Sequence, residues 1–244
     1  MINNMPVPRK PPHRGCDKRA ILRGHNHFGK LTPDHIERLS ACIVSKTVKR
    51  GTHIYAKGDP GISLCAIGKG RVKIGITTVD GKDAVFNVLG KGDIFGEIAL
   101  LDGNPRTADA TAATDCELFV IDGRDFIPLI REEPDIALRI IEILCANLRR
   151  TTAQAEEVMF LDLPSRLAKA LMRLVDPDTA RKEERKVSTT QRDLGNMIGM
   201  SRESINKQLR IWKDKKWVRL ERNAVVILAT DHLAAIAEDR AHDA

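Results

Sequence analysis

The chain has 244 residues, 42% of them hydrophobic and only 4% aromatic, with a formal net charge of +7. It contains no run of about 18 apolar residues, so the sequence predicts no membrane-spanning helix. Its five cysteines (Cys16, Cys42, Cys65, Cys116, Cys145) are scattered, with no C-x-x-C and no Cys/His ligand spacing. That speaks against a disulfide framework and a bound metal, and for a reducing, cytoplasmic setting. The start of the chain lacks the apolar core of a secretory signal. Charge is uneven: residues 1–28 and 165–244 each carry +5, while 29–164 carry −3. A basic C-terminal module suggests a polyanionic partner, most simply nucleic acid.

Residues 1–28 are rich in Pro, Arg, Lys and His and are expected to form a basic flexible arm, with some order near Ile21–Leu22. His25 and His27 have no thiol or carboxylate partners in the pattern and read as polar surface, not as metal ligands. Thr32 followed by Pro33 is a helix start, and Ile36 and Leu39 give the predicted helix Pro33–Ser40 one apolar face. Short β-leaning runs then recur at Thr52–Tyr55, Ser63–Ile67, Arg71–Thr77, Ala84–Leu89, Thr111–Thr114 and Glu117–Asp122, separated by glycine-rich turns. Val79–Lys82 reads as a hairpin turn. This spacing predicts an antiparallel sandwich or barrel, with Val72, Ile74, Val85 and Phe86 as candidates to line its interior pocket.

Between two of these runs lies Asp93–Ala108, D-I-F-G-E-I-A-L-L-D-G-N-P-R-T-A. Gly96 permits close backbone approach to an anion, and the short helix that follows offers free N–H donors. Arg106 carries a planar donor fork matched to phosphate, Thr107 a hydroxyl, and Glu97 an acceptor suited to sugar hydroxyls. From chemistry alone, an Arg106 pair with Glu97 or Asp102 accounts for the stretch as well. The ordered string, however, resembles the phosphate-binding cassette of cyclic-nucleotide-binding domains, with Gly96, Glu97, Pro105, Arg106, Thr107 and Ala108 in place. The resemblance implies that Glu97 holds the ribose 2′-hydroxyl, that Arg106 and Thr107 hold the cyclic phosphate, and that Gly96, Ile98, Ala99 and Ala108 complete the site. The spaced glycine turns also resemble the β-roll of that family.

A short helix over Asp125–Ile130 and a long one from Pro134 to Phe160 or Leu161 follow. Ile141, Leu144, Leu148, Thr151, Ala155 and Val158 alternate at steps of three and four, a heptad seam that favours a partner helix and hence a homodimer. Packing of the seam on the chain's own sheet is the alternative, and Ile136, Ile140 and Ile143 suit that role near the helix start. Thr151 and Thr152 break the seam with hydroxyls. Through the Phe160-Leu161-Asp162 segment they match positions from which the family's long helix contacts the purine, Thr151 from one subunit and Thr152 from its partner. Asp162 and Pro164 restart the chain as a helix to about Val175, which places a hinge at Leu161–Pro164. Residues 176–186 read as a charged loop.

Thr189 or Thr190 caps a helix Gln191–Met197, Ile198-Gly199-Met200 is a turn, and Ser201 caps a second helix. That helix sets Arg202, Glu203, Asn206, Lys207 and Arg210 outward and Ile205, Leu209 and Trp212 inward. The pattern suits a helix-turn-helix. T-T-Q-R-D-L-G-N-M-I-G-M-S-R-E-S-I-N-K-Q-L resembles the helix-turn-helix of the Crp/Fnr regulators, and with the cassette and long helix the likeness spans about residues 33–230. The resemblance implies that Arg202 reads guanine, Glu203 accepts from cytosine, and the third reader falls on Lys207. It also implies that Ser201, Thr190 and Arg192 touch phosphates. Lys207 replaces an arginine and Asn206 a glycine of the family pattern, and a lysine is a point donor rather than a fork, so the resemblance does not fix the exact half-site. Trp217–Leu228 reads as a two-stranded wing turning at Arg222-Asn223, and Leu233–Glu238 as a last helix.

The expectation is therefore an α+β chain of four parts: a basic arm (1–28), a jelly-roll cyclic-nucleotide-binding domain (29–133), a dimerisation helix and hinge (134–162) and a winged helix-turn-helix (163–244). Its implied function is a non-enzymatic, homodimeric, cytoplasmic transcription regulator. Its effector would be cyclic AMP or cyclic GMP, and its partners double-stranded DNA at a near-palindromic site and RNA polymerase. Two rivals stand beside it. One is a relative answering to haem ligands, to an iron–sulfur cluster or to nothing, although only Cys16 occupies the region where a cluster-binding cysteine group would lie. The other is the regulatory subunit of a cyclic-nucleotide-dependent enzyme.

Overall fold

The structure, a computed structural model, describes residues 18–24, 28–77, 83–175 and 185–238. The start of the arm with Cys16, the His25–His27 pair, the Val79–Lys82 turn and most of the 176–186 loop lie outside the described residues.

Helix α1 (Lys18–Gly24) and α2 (Pro33–Cys42) open the described chain. Thr32 caps α2 by accepting from the His35 N–H, as its Thr-Pro start requires. Eight strands follow: β1 (Ile43–Val48), β2 (His53–Tyr55), β3 (Ser63–Lys69), β4 (Val72–Thr77), β5 (Asp83–Leu89), β6 (Ile94–Phe95), β7 (Asp109–Ala112) and β8 (Cys116–Asp122). They form two antiparallel sheets, ordered β1-β8-β3-β6 and β2-β7-β4-β5. The sheets enclose Val48, Cys65, Ile67, Val72, Leu89, Phe95, Ala110, Ala112, Cys116 and Leu118. This is the expected roll, with two additions. Strand β1 continues from α2 with no Gly or Pro to mark the change, and its Val44–Thr47 face solvent, so it carries no alternating pattern. Strand β6 is two residues long and exists through its pairing with β3.

The outer face of the first sheet is covered by helices. Helix α3 (Glu97–Asp102) interrupts the roll; α4 (Gly123–Glu132) and α5 (Pro134–Phe160) follow it. Helix α4 begins two residues before the sequence predicts and ends two after, because Asp122 accepts from the Arg124 N–H and caps it. Leu22, Phe28, Ile36, Leu39, Phe126, Leu129, Ile136, Ile140 and Ile143 from the helical layer meet Leu64, Ile94, Phe119 and Ile121 of the sheet. Glu133, at the α4–α5 corner, pairs with His35 and Arg38 of α2.

The start of α5 is thus buried on its own roll, and the rest is not. Ile141, Leu148 and Val158 are 53%, 67% and 58% exposed. The packing of the helix start on its own roll is what forms, and the later seam residues are left exposed on the described chain.

Asp162 caps α6 (Leu163–Leu174) by accepting from the Ser165 N–H. After β9 (Arg185–Val187) come α7 (Gln191–Ile198), α8 (Arg202–Asp214), β10 (Val218–Glu221), β11 (Ala224–Ile227) and α9 (Thr230–Glu238). Their core gathers Leu167, Leu171, Val187, Leu194, Ile205, Leu209, Trp212, Val225 and Ile227. The wing has a third strand: β9 pairs with β11, whose four residues are all buried between two neighbours. Arg-Lys-Val alone carries no strand signal; tertiary pairing recruits it. Helix α9 begins at Thr230, three residues before the sequence predicts.

Phe126 is fully buried where α4, α5 and the first sheet meet. Phe126→Ala is expected to cost the roll about 3–5 kcal/mol, read as a lower urea midpoint at unchanged slope.

Candidate functional site

Strand β6 delivers the chain to Gly96, which takes φ +81°. A Cβ at Gly96 would lie 2.5 Å from Arg106 Nη1, so any side chain there would displace the arginine. Helix α3 starts at Glu97 and is closed by Gly103 at φ +72°. The chain returns through Pro105 to Arg106, whose N–H donates to the Asp59 carbonyl and whose carbonyl accepts from the Gly58 N–H. Arg106 is therefore held by its backbone before its side chain makes any contact.

The Arg106 side chain is 5% exposed. Nη1 donates to the Gly96 carbonyl at 2.6 Å, and Nη2 donates to the Ser63 carbonyl at 2.7 Å. The guanidinium stacks 4.3 Å over the Tyr55 ring, and its buried Nε has no partner among the described residues. The alternative of an Arg106–Glu97 or Arg106–Asp102 pair is not what forms. Glu97, also 5% exposed, instead accepts from Asn147 Nδ2 at 3.0 Å, and Asn147 Oδ1 accepts from Arg150 Nη2 at 2.8 Å. Burial raises the Glu97 carboxyl above its ordinary value, against the pull of its own backbone N–H, Asn147, Arg150 and Arg106.

Glu97 and Arg106 face one cleft of about 640 Å³ between the roll and α5. Gly96, Ile98, Ala99, Thr107 and Ala108 line it, as do Ile74, Val85 and Phe86. Val72 does not: it pairs with Leu89 and Ala112 and is fully buried between the sheets. From α5, Thr151 lines the cleft, with its hydroxyl donating to the Asn147 carbonyl at 3.0 Å, while Thr152 is exposed and lies outside the cleft of its own chain. Tyr55, Asn147, Arg150 and Gln154 also line it and were missed. Asn147 and Gln154 stand four before and three after Thr151, and Arg150 stands three after Asn147 and four before Gln154, so helix periodicity was the available signal. Gln154 Nε2 donates to the Phe86 carbonyl at 3.2 Å and ties α5 to β5.

In the C-terminal module Thr190 caps α7, accepting from the Asp193 N–H at 3.0 Å and donating to its carboxylate at 2.7 Å. A Cβ at Gly195 would lie 2.5 Å from the Met200 carbonyl, so glycine allows the tight turn between the two helices. Ser201 caps α8 by accepting from the Ser204 N–H at 3.1 Å. Ile205, Leu209 and Trp212 point into the core. Arg192, Ser201, Arg202, Glu203, Lys207 and Arg210 are exposed, and Asn206 is half-buried. The module also touches the roll: α7 packs on β5, and Lys73 Nζ lies 3.6 Å from Asp193 Oδ1. Among the described residues, no three His, Cys, Asp or Glu side chains group as metal ligands, and no helix is long and apolar enough to cross a membrane.

Residues 45–133 match the cyclic nucleotide-binding domain family and residues 165–236 the Crp-like helix-turn-helix domain family. The chain is 32% identical over 217 residues to the CRP-like cAMP-activated global transcriptional regulator of Mycobacterium tuberculosis, covering 88% of this chain and 97% of that protein. It is 30% identical over 195 residues to the cAMP-activated global transcriptional regulator CRP of Pasteurella multocida, covering 79% of this chain and 93% of the relative. Its fold is similar to that of a CRP/FNR-family transcriptional regulator from Thermus thermophilus, with a TM-score of 0.71 at 22% identity over 81% of this chain and all of the other.

The raised Glu97 pKa has a signed consequence. A carboxyl that titrates higher in the folded state than in the unfolded one makes folding less favourable as pH rises through its folded value. Glu97→Gln keeps an acceptor for Asn147 and removes that charge. The variant is expected to have a higher urea midpoint than the parent at pH 7.5, with the difference closing toward about pH 4; equal midpoints throughout would contradict the burial cost.

Proposed function

We propose that this chain, which belongs to the Crp/Fnr family of DNA-binding transcription regulators, is gated by cyclic AMP bound in the cleft between the β-roll and α5. The carrying observation is the pair Glu97 and Arg106, an anion and a cation each 5% exposed and facing one cleft. Two buried, opposite charges that do not pair with each other suit a ligand that is anionic at one end and hydroxylic at the other.

Arg106 takes the cyclic phosphate. Its donors now serve neutral carbonyls of Gly96 and Ser63, and a phosphate oxygen is the stronger acceptor. The Thr107 hydroxyl and the backbone at Ala108 complete that end. Glu97 takes the ribose 2′-hydroxyl, which then competes with Asn147 for the carboxylate. Thr151, with Thr152 of the partner subunit, meets the purine. The ligand thus acts on α5 directly, through Asn147 at one end and Thr151 at the other.

The seam, with Ile141, Leu148, Ala155 and Val158 exposed and Leu144 half-buried, pairs two α5 helices in a homodimer. A ligand that prefers one arrangement of that pair shifts the population toward it. In that arrangement the two α8 helices stand about one DNA turn apart, roughly 34 Å, over successive major grooves. Arg202, Glu203 and Lys207 read bases, with Asn206 beside them, while Arg192, Ser201 and Thr190 meet phosphates. The Thr190 hydroxyl already donates to Asp193, so any phosphate contact by it is secondary. The regulator works in the cytoplasm with RNA polymerase as its further partner.

Titration calorimetry with cyclic AMP and cyclic GMP tests the site. Arg106→Ala is expected to weaken cyclic AMP binding roughly ten- to hundred-fold, the value of charge-assisted hydrogen bonds, while the chain still melts cooperatively. Unchanged affinity would overturn the assignment, and tighter cyclic GMP than cyclic AMP would overturn the choice of base. The dimer is tested separately: Leu148→Glu sets like charges face to face on the seam, and sedimentation should then show a monomer that no longer retards a palindromic duplex.

A further inference from the structure

We infer that a second ligand site lies between the β-roll and the DNA-binding module, and that it takes a nucleotide carrying two or more phosphates. The site is a cavity of about 1170 Å³, larger than the cleft that holds Glu97 and Arg106. Asn87, Arg150, Gln154, Arg173 and Met197 form a wall common to both.

Its floor on the roll is built by two turns held side by side. The Gly92 N–H donates to the Ile67 carbonyl at 2.8 Å, and the Ile67 N–H donates to the Asp93 carbonyl at 2.9 Å. The first turn, Gly68 to Arg71, presents Lys69 and Arg71; the second, Gly90 to Asp93, presents Lys91. Gly70 takes φ +92°, and a Cβ there would lie 2.4 Å from the Asp115 carbonyl, so the backbone between Lys69 and Arg71 is fixed. Across the cavity stand Arg150 from α5, Arg173 from α6 and Lys186 from β9.

Six cations in one cavity repel one another unless anions compensate them. Two are compensated: Arg173 by Glu157 at 2.6 Å and Lys186 by Glu221 at 2.6 Å. Lys69, Arg71 and Lys91 have no side-chain ion pair among the described residues. The carboxylates on the wall do not serve them. Asp93 accepts from the Gly90 N–H at 2.8 Å, and Asp115 accepts from Lys49 Nζ and the Arg50 N–H, both at 2.9 Å. Arg150 is bound to a neutral amide oxygen of Asn147. Several uncompensated cations converging on one cavity suit more than the single charge of a cyclic monophosphate.

Phosphate is not the whole ligand. Val88, Leu174, Val175 and Met197 form an apolar shelf beside the cations, flanked by Asn87 and Ser188. A shelf with a few polar groups at its edge and cations at one end is the lining that a base and its phosphates require. A DNA duplex is too wide to enter a cavity of this size, and its phosphates would reach only the exposed cations at the rim, Lys69, Lys91 and Lys186. An occupant would touch both the roll and the module that carries α8, and so hold one relative to the other.

The test is calorimetry at one fixed salt concentration with pyrophosphate, ATP and cyclic di-GMP. It is run on the full chain saturated with cyclic AMP and on the Arg106→Ala chain. Binding here does not use Arg106, so it should be seen in both chains, with ATP or cyclic di-GMP tighter than pyrophosphate, while the wall shared with the cleft couples the two affinities. In a Lys69→Glu/Lys91→Glu variant that affinity should fall at least ten-fold, while thermal unfolding and cyclic AMP affinity stay as in the parent. The proposal is overturned by absence of heat with all three probes or by equal affinity in the double variant. It is also overturned if pyrophosphate binds as tightly as either nucleotide. A double variant that loses only affinity for a long duplex would make the rim a DNA contact instead.

Discussion

The close approach of Gly96 to Arg106 is the constraint on which the ligand cleft depends. Only a residue without a Cβ leaves room for the guanidinium at that spot, and only a left-handed φ turns the Gly96 carbonyl to accept from it. With that contact made, Arg106 bridges β3, through Ser63, to the start of α3. It also covers Tyr55 of β2, so one side chain joins both sheets and the cassette. Its buried charge is tolerated because two carbonyls and an aromatic face surround it, and none of these is a fixed anion. The position is therefore stable without a carboxylate partner and remains open to a better acceptor.

Helix α5 carries the consequences outward. Its first turns are core, with Ile136, Ile140 and Ile143 packed on the roll. Its middle lines the cleft, where Asn147 holds Glu97 and Gln154 holds the Phe86 carbonyl of β5. Its face from Ile141 to Val158 stays largely exposed. A helix that is rigid with respect to the roll at one end and bonded to the cleft-facing carboxylate at its middle transmits a change at Glu97 to its free half. No separate relay of residues is needed, since the helix itself is the connecting element.

Much of this was legible in the sequence, for identifiable reasons. Glycine turns between short β-leaning runs announced the roll, and Gly96, Glu97 and Arg106 announced the cassette, because each of those residues is demanded by local geometry or charge. Thr32, Asp162, Thr190 and Ser201 announced helix starts because capping is a one-residue signal. What escaped reading depends on neighbours far away in the chain. Strand β9 is Arg-Lys-Val and becomes a strand only beside β11. Asn147 and Arg150 look like surface residues of a long helix until α3 delivers Glu97 to them across 50 positions. Val72 was assigned to the cleft with Ile74 from alternation alone; both contribute to the core between the sheets, and only Ile74 reaches the cleft.

The contact between α7 and the roll was also invisible in the sequence, and it bears on how the two halves communicate. Asp193 serves both sides of that contact: its N–H and carboxylate close the cap with Thr190, and its carboxylate also lies 3.6 Å from Lys73 on β4. Both charged groups are about a third exposed, so the ion pair alone contributes little, by the measure of exposed pairs. Apolar packing contributes more, because Val88 of β5 sits against the core built by α6, α7 and α8. The same strand carries Phe86, whose carbonyl is bonded by Gln154 of α5, and Val85, which lines the cleft. One strand thus meets the cleft, the long helix and the DNA-binding module within four residues. A displacement of β5 by a ligand cannot leave α7 where it is without losing the Val88 contact. The geometry therefore gives the module a second connection to the cleft, within one subunit and independent of the pairing of two α5 helices.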